Sequence, residues 1–278
     1  MQYEQKILTY KGRSVFEKLR LPFFQRMPKV YFENEACFIF VNEGAFSVRT
    51  QTEYESVKKG DGILAKCLNY FFEPYEKQQT EGNDVEVIGV LLYPDLVHEL
   101  FSFDVYSSDY RVDYNIKKIA VDKLLEYFKE SIIILLDNPG LASESLIKIK
   151  LREFVILMSQ TVAAPSELDF LASMFNPNFA KFEEVIHKNL YANLTLDELA
   201  ALCHMSLSSF KRKFNEVYDE SPIKYISNMK LQKALELLRD KNNRITDIAY
   251  DVGFESLTTF NRAFKAQYGK SPSDYRMS

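Results

Sequence analysis

The sequence predicts an α+β protein in two parts, an N-terminal small β-barrel with a helical hairpin and a C-terminal all-α domain. Three observations carry this. Short β-rich runs spaced by turn residues fill the chain as far as Tyr93. Beyond Pro94 the apolar period becomes helical. From Leu196 onward the sequence repeats itself as helix, tight turn, helix, twice.

The chain has 278 residues, enough for two domains that each bury a core. Its 46% hydrophobic and 27% charged residues are those of a soluble globular protein. Apolar runs such as Val87–Tyr93 and Ile132–Leu136 fall far short of the ~18–20 residues that span a bilayer. The segment Met1–Tyr10 has no apolar core or small-residue cleavage site of a secretion signal. Cys37, Cys67 and Cys203 are an odd, scattered set, as expected of free thiols in a reducing, cytoplasmic setting. The net charge of −4 is unevenly spread. From Met174 onward 15 Lys plus Arg face 13 Asp plus Glu, against 20 and 26 before it. That asymmetry permits a nucleic-acid-binding C-terminal half without establishing one.

The elements follow in order. Ala36–Val41 and Ala45–Thr50 flank Asn42-Glu43-Gly44, a hairpin signal. A turn at Lys58–Gly62 precedes Ile63–Ala65 and Tyr70–Phe72, and Glu81-Gly82-Asn83-Asp84 turns the chain into Val85–Tyr93. That last run is apolar throughout, which suits a strand buried on both faces. Strands this short fit a small barrel or a sandwich. Ile116–Leu136 then reads as a helix stopped by Asp137-Asn138-Pro139-Gly140, with Ile119, Leu124, Leu125, Phe128 and Ile132 among its apolar positions. Ser145–Gln160 reads as a second, with Leu146, Ile149, Phe154, Val155, Leu157 and Met158 on one broad face. These faces serve either as core or for self-association. Pro165-Ser166 and Asn176-Pro177-Asn178 mark the domain boundary.

The repeat is the most informative feature. Phe210-Lys211-Arg212-Lys213-Phe214, Tyr218 and Ser221-Pro222 recur fifty residues later as Phe260-Asn261-Arg262-Ala263-Phe264, Tyr268 and Ser271-Pro272. Two aromatics four apart share one helix face, and Ser-Pro opens the next helix. Upstream the offset is forty-nine, aligning Leu196–Ala200 with Ile245–Ala249. The extra residue is therefore expected in the turn, Tyr250–Phe254 against Ala201–Met205. Ser206 and Ser256 stand as N-caps of the second helices. Ile223–Leu238 forms a linker helix of about 24 Å, a rigid spacer on the scale of one duplex turn of ~34 Å.

Together Phe210-x-Arg212-x-Phe214, Ser221-Pro222, Leu231-x-x-Ala234, Ile248-Ala249, Gly253-Phe254, Phe260-x-Arg262-x-Phe264-Lys265 and Gly269-x-Ser271-Pro272 resemble the AraC/XylS transcription-regulator signature. The resemblance covers about Phe179–Arg276. It departs at Asp219, where the second copy has Gly269, and at Asn215, where the second copy has Lys265. It implies residues 174–278 as the DNA-binding domain and 1–165 as a cupin-like effector and oligomerisation domain. It also implies double-stranded DNA and RNA polymerase as partners; the leading reading is an activator, with a repressor or an enzyme fused to a helix-turn-helix unit as alternatives, and the two apolar helices suggest a homodimer.

With the Phe pairs turned inward, the outward residues are Ser208, Lys211, Arg212 and Asn215 in the first unit. In the second they are Leu257, Thr258, Asn261, Arg262 and Lys265. No acid lies between Ser206 and Asn215 or between Ser256 and Ser273, so positive potential is kept where phosphates would lie. Arg suits guanine O6 and N7 through a bidentate fork. Leu257 either meets a thymine methyl or is partly buried. Ser206 and Ser256 cap only, or also donate to phosphate.

The N-terminal half offers no catalytic constellation. The three His of the chain, His98, His187 and His204, are too few and too scattered for a His-rich metal cluster, so neither metal nor cofactor is expected. No phosphate loop, Cys-x-x-Cys pair or nucleophile elbow occurs. Arg49 and Lys66 sit among apolar strand residues. Turned inward they suit a carboxylate ligand with an apolar body; turned outward they are solvated. A protein effector docking on the barrel is the third alternative.

Overall fold

The computed structural model describes residues 4–22, 25–29, 35–75, 84–102 and 104–277. They form two compact units, Met1–Phe179 and Ala180–Ser278.

The first unit is built on two antiparallel sheets. The larger runs in the order β1 (Glu4–Tyr10), β2 (Arg13–Leu21), β9 (Val85–Leu92), β4 (Ala36–Glu43), β7 (Asp61–Ala65) and β10 (Ile116–Ala120). The smaller runs β3 (Met27–Lys29), β8 (Tyr70–Pro74), β5 (Ala45–Arg49) and β6 (Tyr54–Lys58). The small barrel or sandwich expected from the sequence takes the form of two sheets, which face each other across a cavity. β1 and β2 are joined by Lys11-Gly12, both at positive φ, the two-residue turn whose twist matches that of paired strands.

The hairpin expected at Asn42-Glu43-Gly44 does not form. β4 pairs with β7 and β9, whereas β5 pairs with β6 and β8. The chain changes sheets at Gly44, whose φ is +79° and where a Cβ would lie 2.4 Å from the Asp84 carbonyl oxygen. Only glycine fits such a corner. The expected turn at Glu81–Asp84 lies, except for Asp84, outside the described residues.

The larger sheet separates two layers. Phe38 and Phe40 of β4 point to the helical side, where their rings meet Phe154 and Phe128 at centroid distances of 5.6 and 6.2 Å. Those rings belong to α3 (Glu144–Thr161) and α2 (Lys123–Asp137), which cover that face. Phe38 fits because Gly62 beneath it has no Cβ, which would lie 2.3 Å from the ring. Alternate residues Cys37 and Ile39 point to the smaller sheet, following the period of two.

The single helix expected over Ile116–Leu136 is instead a strand and a helix. Ile116–Ala120 pairs with β7, burying Ile116 and Ile119, and α2 starts where the Asp122 carboxylate accepts from Leu125 N–H at 2.9 Å. A free strand edge outweighed a marginal helical period. Leu124 of α2 and Ile149 of α3, counted with the apolar faces, are exposed. The first unit also includes α1 (Pro94–Phe101) and α4 (Glu167–Met174). Phe170, Leu171, Met174 and Phe175 are buried in its core, so the segment read as a boundary is part of this unit.

The second unit is helical: α5 (Phe182–Asn189), α6 (Leu196–Leu202), α7 (Leu207–Tyr218), α8 (Pro222–Leu238), α9 (Ile245–Asp251), α10 (Leu257–Tyr268) and α11 (Pro272–Met277). It holds two small cores. Ile186, Leu190, Leu199, Ala200, Phe210 and Phe214 form the first; Leu231, Ala234, Leu238, Ile248, Ala249, Val252, Phe260 and Phe264 form the second. α8 serves both, with Tyr225, Ile226 and Met229 packed on the first and Leu231, Ala234 and Leu238 inside the second.

The turns repeat with a precision the sequence hides. Cys203, His204 and Met205 N–H donate to Leu199, Ala201 and Ala200; Val252, Gly253 and Phe254 do the same to Ile248, Tyr250 and Ala249. His204 and Gly253 are the left-handed residues. The offset of forty-nine therefore holds through the whole turn, and the extra residue is Glu255, between the turn and the cap. Gly253 is also crowded: a Cβ there would lie 2.3 Å from the Tyr191 carbonyl oxygen. Gly269, at φ +75°, has nothing within 4 Å.

This contrast is testable by thermal unfolding of the full chain. Gly269→Ala is expected to cost about 1–2 kcal/mol, the usual left-handed penalty for a residue with a Cβ. Gly253→Ala should cost at least ~1 kcal/mol more, because backbone must also move. Equal losses would show that the Tyr191 contact carries no weight.

Candidate nucleic-acid interface

Each helix-turn-helix unit ends in a helix with the same capping. Ser206 Oγ accepts from Ser209 N–H at 3.3 Å and Ser256 Oγ from Thr259 N–H at 3.1 Å, satisfying donors at the starts of α7 and α10. Their far ends are closed by left-handed Asp219 and Gly269, whose N–H groups reach Asn215 and Lys265 carbonyls. Asp219 thus keeps the turn despite its Cβ.

Between the caps the Phe pairs set the rotation of each helix. Phe210, Phe214, Phe260 and Phe264 are all at 0% exposure. Ser206, Ser208, Lys211, Arg212 and Asn215 are left exposed on α7 and its cap. On α10 Thr258, Arg262 and Lys265 are exposed, while Ser256, Asn261 and Leu257 are half-buried. Leu257 packs against the second core. Ser206 Oγ also meets Ser208 and Ser209 hydroxyls at 3.1 and 3.0 Å, a chain of hydroxyls at the start of α7.

The two arginines differ in their neighbours. Arg212 Nε lies 3.9 Å from Glu216, one turn on, in an exposed ion pair. At the matching position after Arg262 stands Ala266. Two residues that the sequence reading passed over hold the second unit in place. Lys230 of α8 donates from Nζ to the Gly253 carbonyl at 2.6 Å and lies 5.8 Å from the Phe254 ring. Burial lowers its pKa, opposed by the Glu255 carboxylate. Tyr191, just after α5, supplies the carbonyl against which Gly253 packs.

The structure brings Arg49 and Lys66 to other tasks. Arg49 forks onto Glu73 through Nε at 2.7 Å and Nη2 at 3.2 Å, with its guanidinium 4.4 Å from the Tyr54 ring centre. Lys66 is buried, and its Nζ donates to Asn176 and Val112 carbonyls at 3.1 and 3.4 Å. Desolvation lowers its pKa to about 8, against a weaker pull from Glu53. Neither lines the cavity between the sheets. Among the described residues no helix is long and apolar enough to cross a membrane, and no three His, Cys, Asp or Glu side chains group to hold a metal ion.

Known proteins resemble this chain in sequence. Residues 199–278 match a family described as a helix-turn-helix domain, and residues 36–168 match the ExsA N-terminal regulatory domain. The regulator AlkR of Acinetobacter baylyi is 34% identical over 38% of this chain and 35% of its own. ExsA of Pseudomonas aeruginosa is 27% identical over 46% of each chain. YdeC of Bacillus subtilis, an uncharacterized HTH-type transcriptional regulator, is 22% identical over 89% of this chain and 85% of its own. The match thus spans about a third of AlkR and under half of ExsA. Among solved structures, fatty-acid-bound ToxT of Vibrio cholerae overlaps 99% of this chain and 95% of its own at 13% identity, with a TM-score of 0.39. The doubled helix-turn-helix unit and the sequence matches together make residues 199–278 an AraC-type helix-turn-helix domain, similar to those of AraC/XylS transcriptional regulators.

Proposed function

We propose that this protein is a sequence-specific transcription activator whose helices α7 and α10 enter two adjacent major grooves of double-stranded DNA. The observation that carries this is the repeated face: two capped helices, each rotated by a buried Phe pair, each presenting an Arg outward, joined through one linker helix. Unit 2 is the DNA-binding domain. In the cytoplasm the first unit, which we read as cupin-like, controls activity by binding an effector or a second copy rather than by catalysis. Activation through RNA polymerase is favoured over repression because relatives include the XylDLEGF operon activator of Pseudomonas putida and the VirF activator of Yersinia enterocolitica.

Self-association fits α3. Its solvent side carries Ile149, Arg152 and Ile156 beside Glu153. An antiparallel second copy sets Ile149 against Ile156 and Arg152 beside Glu153, twice over, as two-fold symmetry requires. Four recognition helices then act on one DNA, raising occupancy through effective concentration.

Two measurements test the reading. In anisotropy titrations on the DNA upstream of its own gene, Arg262→Ala should cost about 1–3 kcal/mol at the preferred site. Arg212→Ala should fall nearer the lower end, since Arg212 gives up Glu216 to bind. Lys265→Ala should weaken all sequences alike and flatten the salt dependence by about one unit of slope. Unchanged site affinity in Arg262→Ala would remove α10 from base reading. By sedimentation at micromolar concentration, Ile149→Glu/Ile156→Glu should convert dimers to monomers. A wild-type chain already monomeric there would refute the α3 interface.

A further inference from the structure

The first unit holds a cavity of about 270 Å³ between its two sheets. Its walls are apolar, chiefly Leu19, Leu21, Ile39, Phe46, Val87 and Leu91. Cys37 and Tyr70 also reach it and are hydrogen-bonded to each other, Sγ to Oη, at 3.0 Å. Three polar side chains remain: Gln5, Glu17 and Lys29.

Of the two charged ones, Lys29 is engaged elsewhere. Lys29 forms an ion pair with Glu35, whose other oxygen accepts from the Tyr93 hydroxyl at 3.3 Å. Glu17 has no cation at ion-pair distance among the described residues. Its hydrogen bond comes from the Gln5 amide at a long 3.4 Å. The carboxyl lies against the sheet over Gly89, where a Cβ would come within 2.9 Å of Glu17 Cγ. Burial raises its pKa, Lys29 works against that, and Glu35 adds to it. Among the described residues the half-buried Glu17 carboxyl thus has no close countercharge beside an apolar space, where an unneutralised acid is costly.

We propose that this cavity binds a small apolar molecule bearing a protonated amine, which Glu17 receives. A charged head supplies the missing cation and a charge-assisted hydrogen bond, while the hydrocarbon body fills the space between the sheets. The carboxylate ligand suggested by Arg49 and Lys66 meets neither of them here, and would add a third negative group. Control of DNA binding by such an amine rests on the function proposed above; the binding itself does not.

Calorimetric titration of the full chain without DNA separates the two. The probes are 4-phenylbutylamine and 4-phenylbutanoate, which share a body and differ in the sign of the head. The amine should give saturable heat and the acid none. The near-isosteric Glu17→Gln should weaken the amine at least about tenfold, the scale of a hydrogen bond to a charged group. Binding of the acid as tight as that of the amine, no saturable heat from the amine, or undiminished binding in Glu17→Gln would each overturn the proposal. The comparison of the two probes on the wild-type chain needs no variant to fold. DNA affinity, read separately through Arg262, stands or falls independently.

Discussion

Two phenylalanines four residues apart, buried completely in each recognition helix, are the constraint on which the second unit depends. A buried Phe lost from a core costs ~3–5 kcal/mol, a large share of a domain's total stability of ~5–15 kcal/mol. A helix held by two of them cannot rotate to offer another face. Ser206 and Ser256 fix where each helix starts, and Asp219 and Gly269 fix where it stops. What faces outward follows from what faces inward. The arginines are placed by residues that never touch a partner.

The first unit uses a sheet in two ways at once. On one face Phe38 and Phe40 interlock with rings from α2 and α3, with a glycine omitted beneath Phe38 to make the fit. On the other face the alternate residues meet the smaller sheet across an unfilled space. Packing on the helical side supplies the rigidity, which leaves the inner side free to be hollow. The strand period of two makes such a division of labour possible within a single strand such as β4.

The second unit was far more legible in the sequence than the first. Its repeat compares the chain with itself, so chance and composition cancel, and caps, Phe pairs and outward residues all came from it. Lys230 and Tyr191 escaped because nothing in the order of residues says that α8 and the end of α5 meet the second turn. Glu255 was misplaced because identities end at Ala249 and resume only at Ser256. In the first unit, the turn residues at Asn42–Gly44 and Lys58–Gly62 mark corners but not whether the next strand pairs with its predecessor. That depends on a partner far along the chain, as at Gly44. Ile116–Ala120 reads as helix or strand by local period alone, and only the open edge of β7 decides. Arg49 and Lys66 were visible as cations among apolar residues, but Glu73 and the Asn176 carbonyl, which engage them, are not visible neighbours in sequence.

Gly253 carries one more consequence, for how the second unit comes apart. Its missing side chain leaves room for the carbonyl of Tyr191, and its own carbonyl holds the ammonium of Lys230. The turn of the second copy is thereby braced by backbone that leads into the first copy and by the helix between the copies. Opening either half strips contacts from the other. Two repeats that look separable on paper are in this way tied into one cooperative folding unit, and amide protons in both should exchange through the same opening.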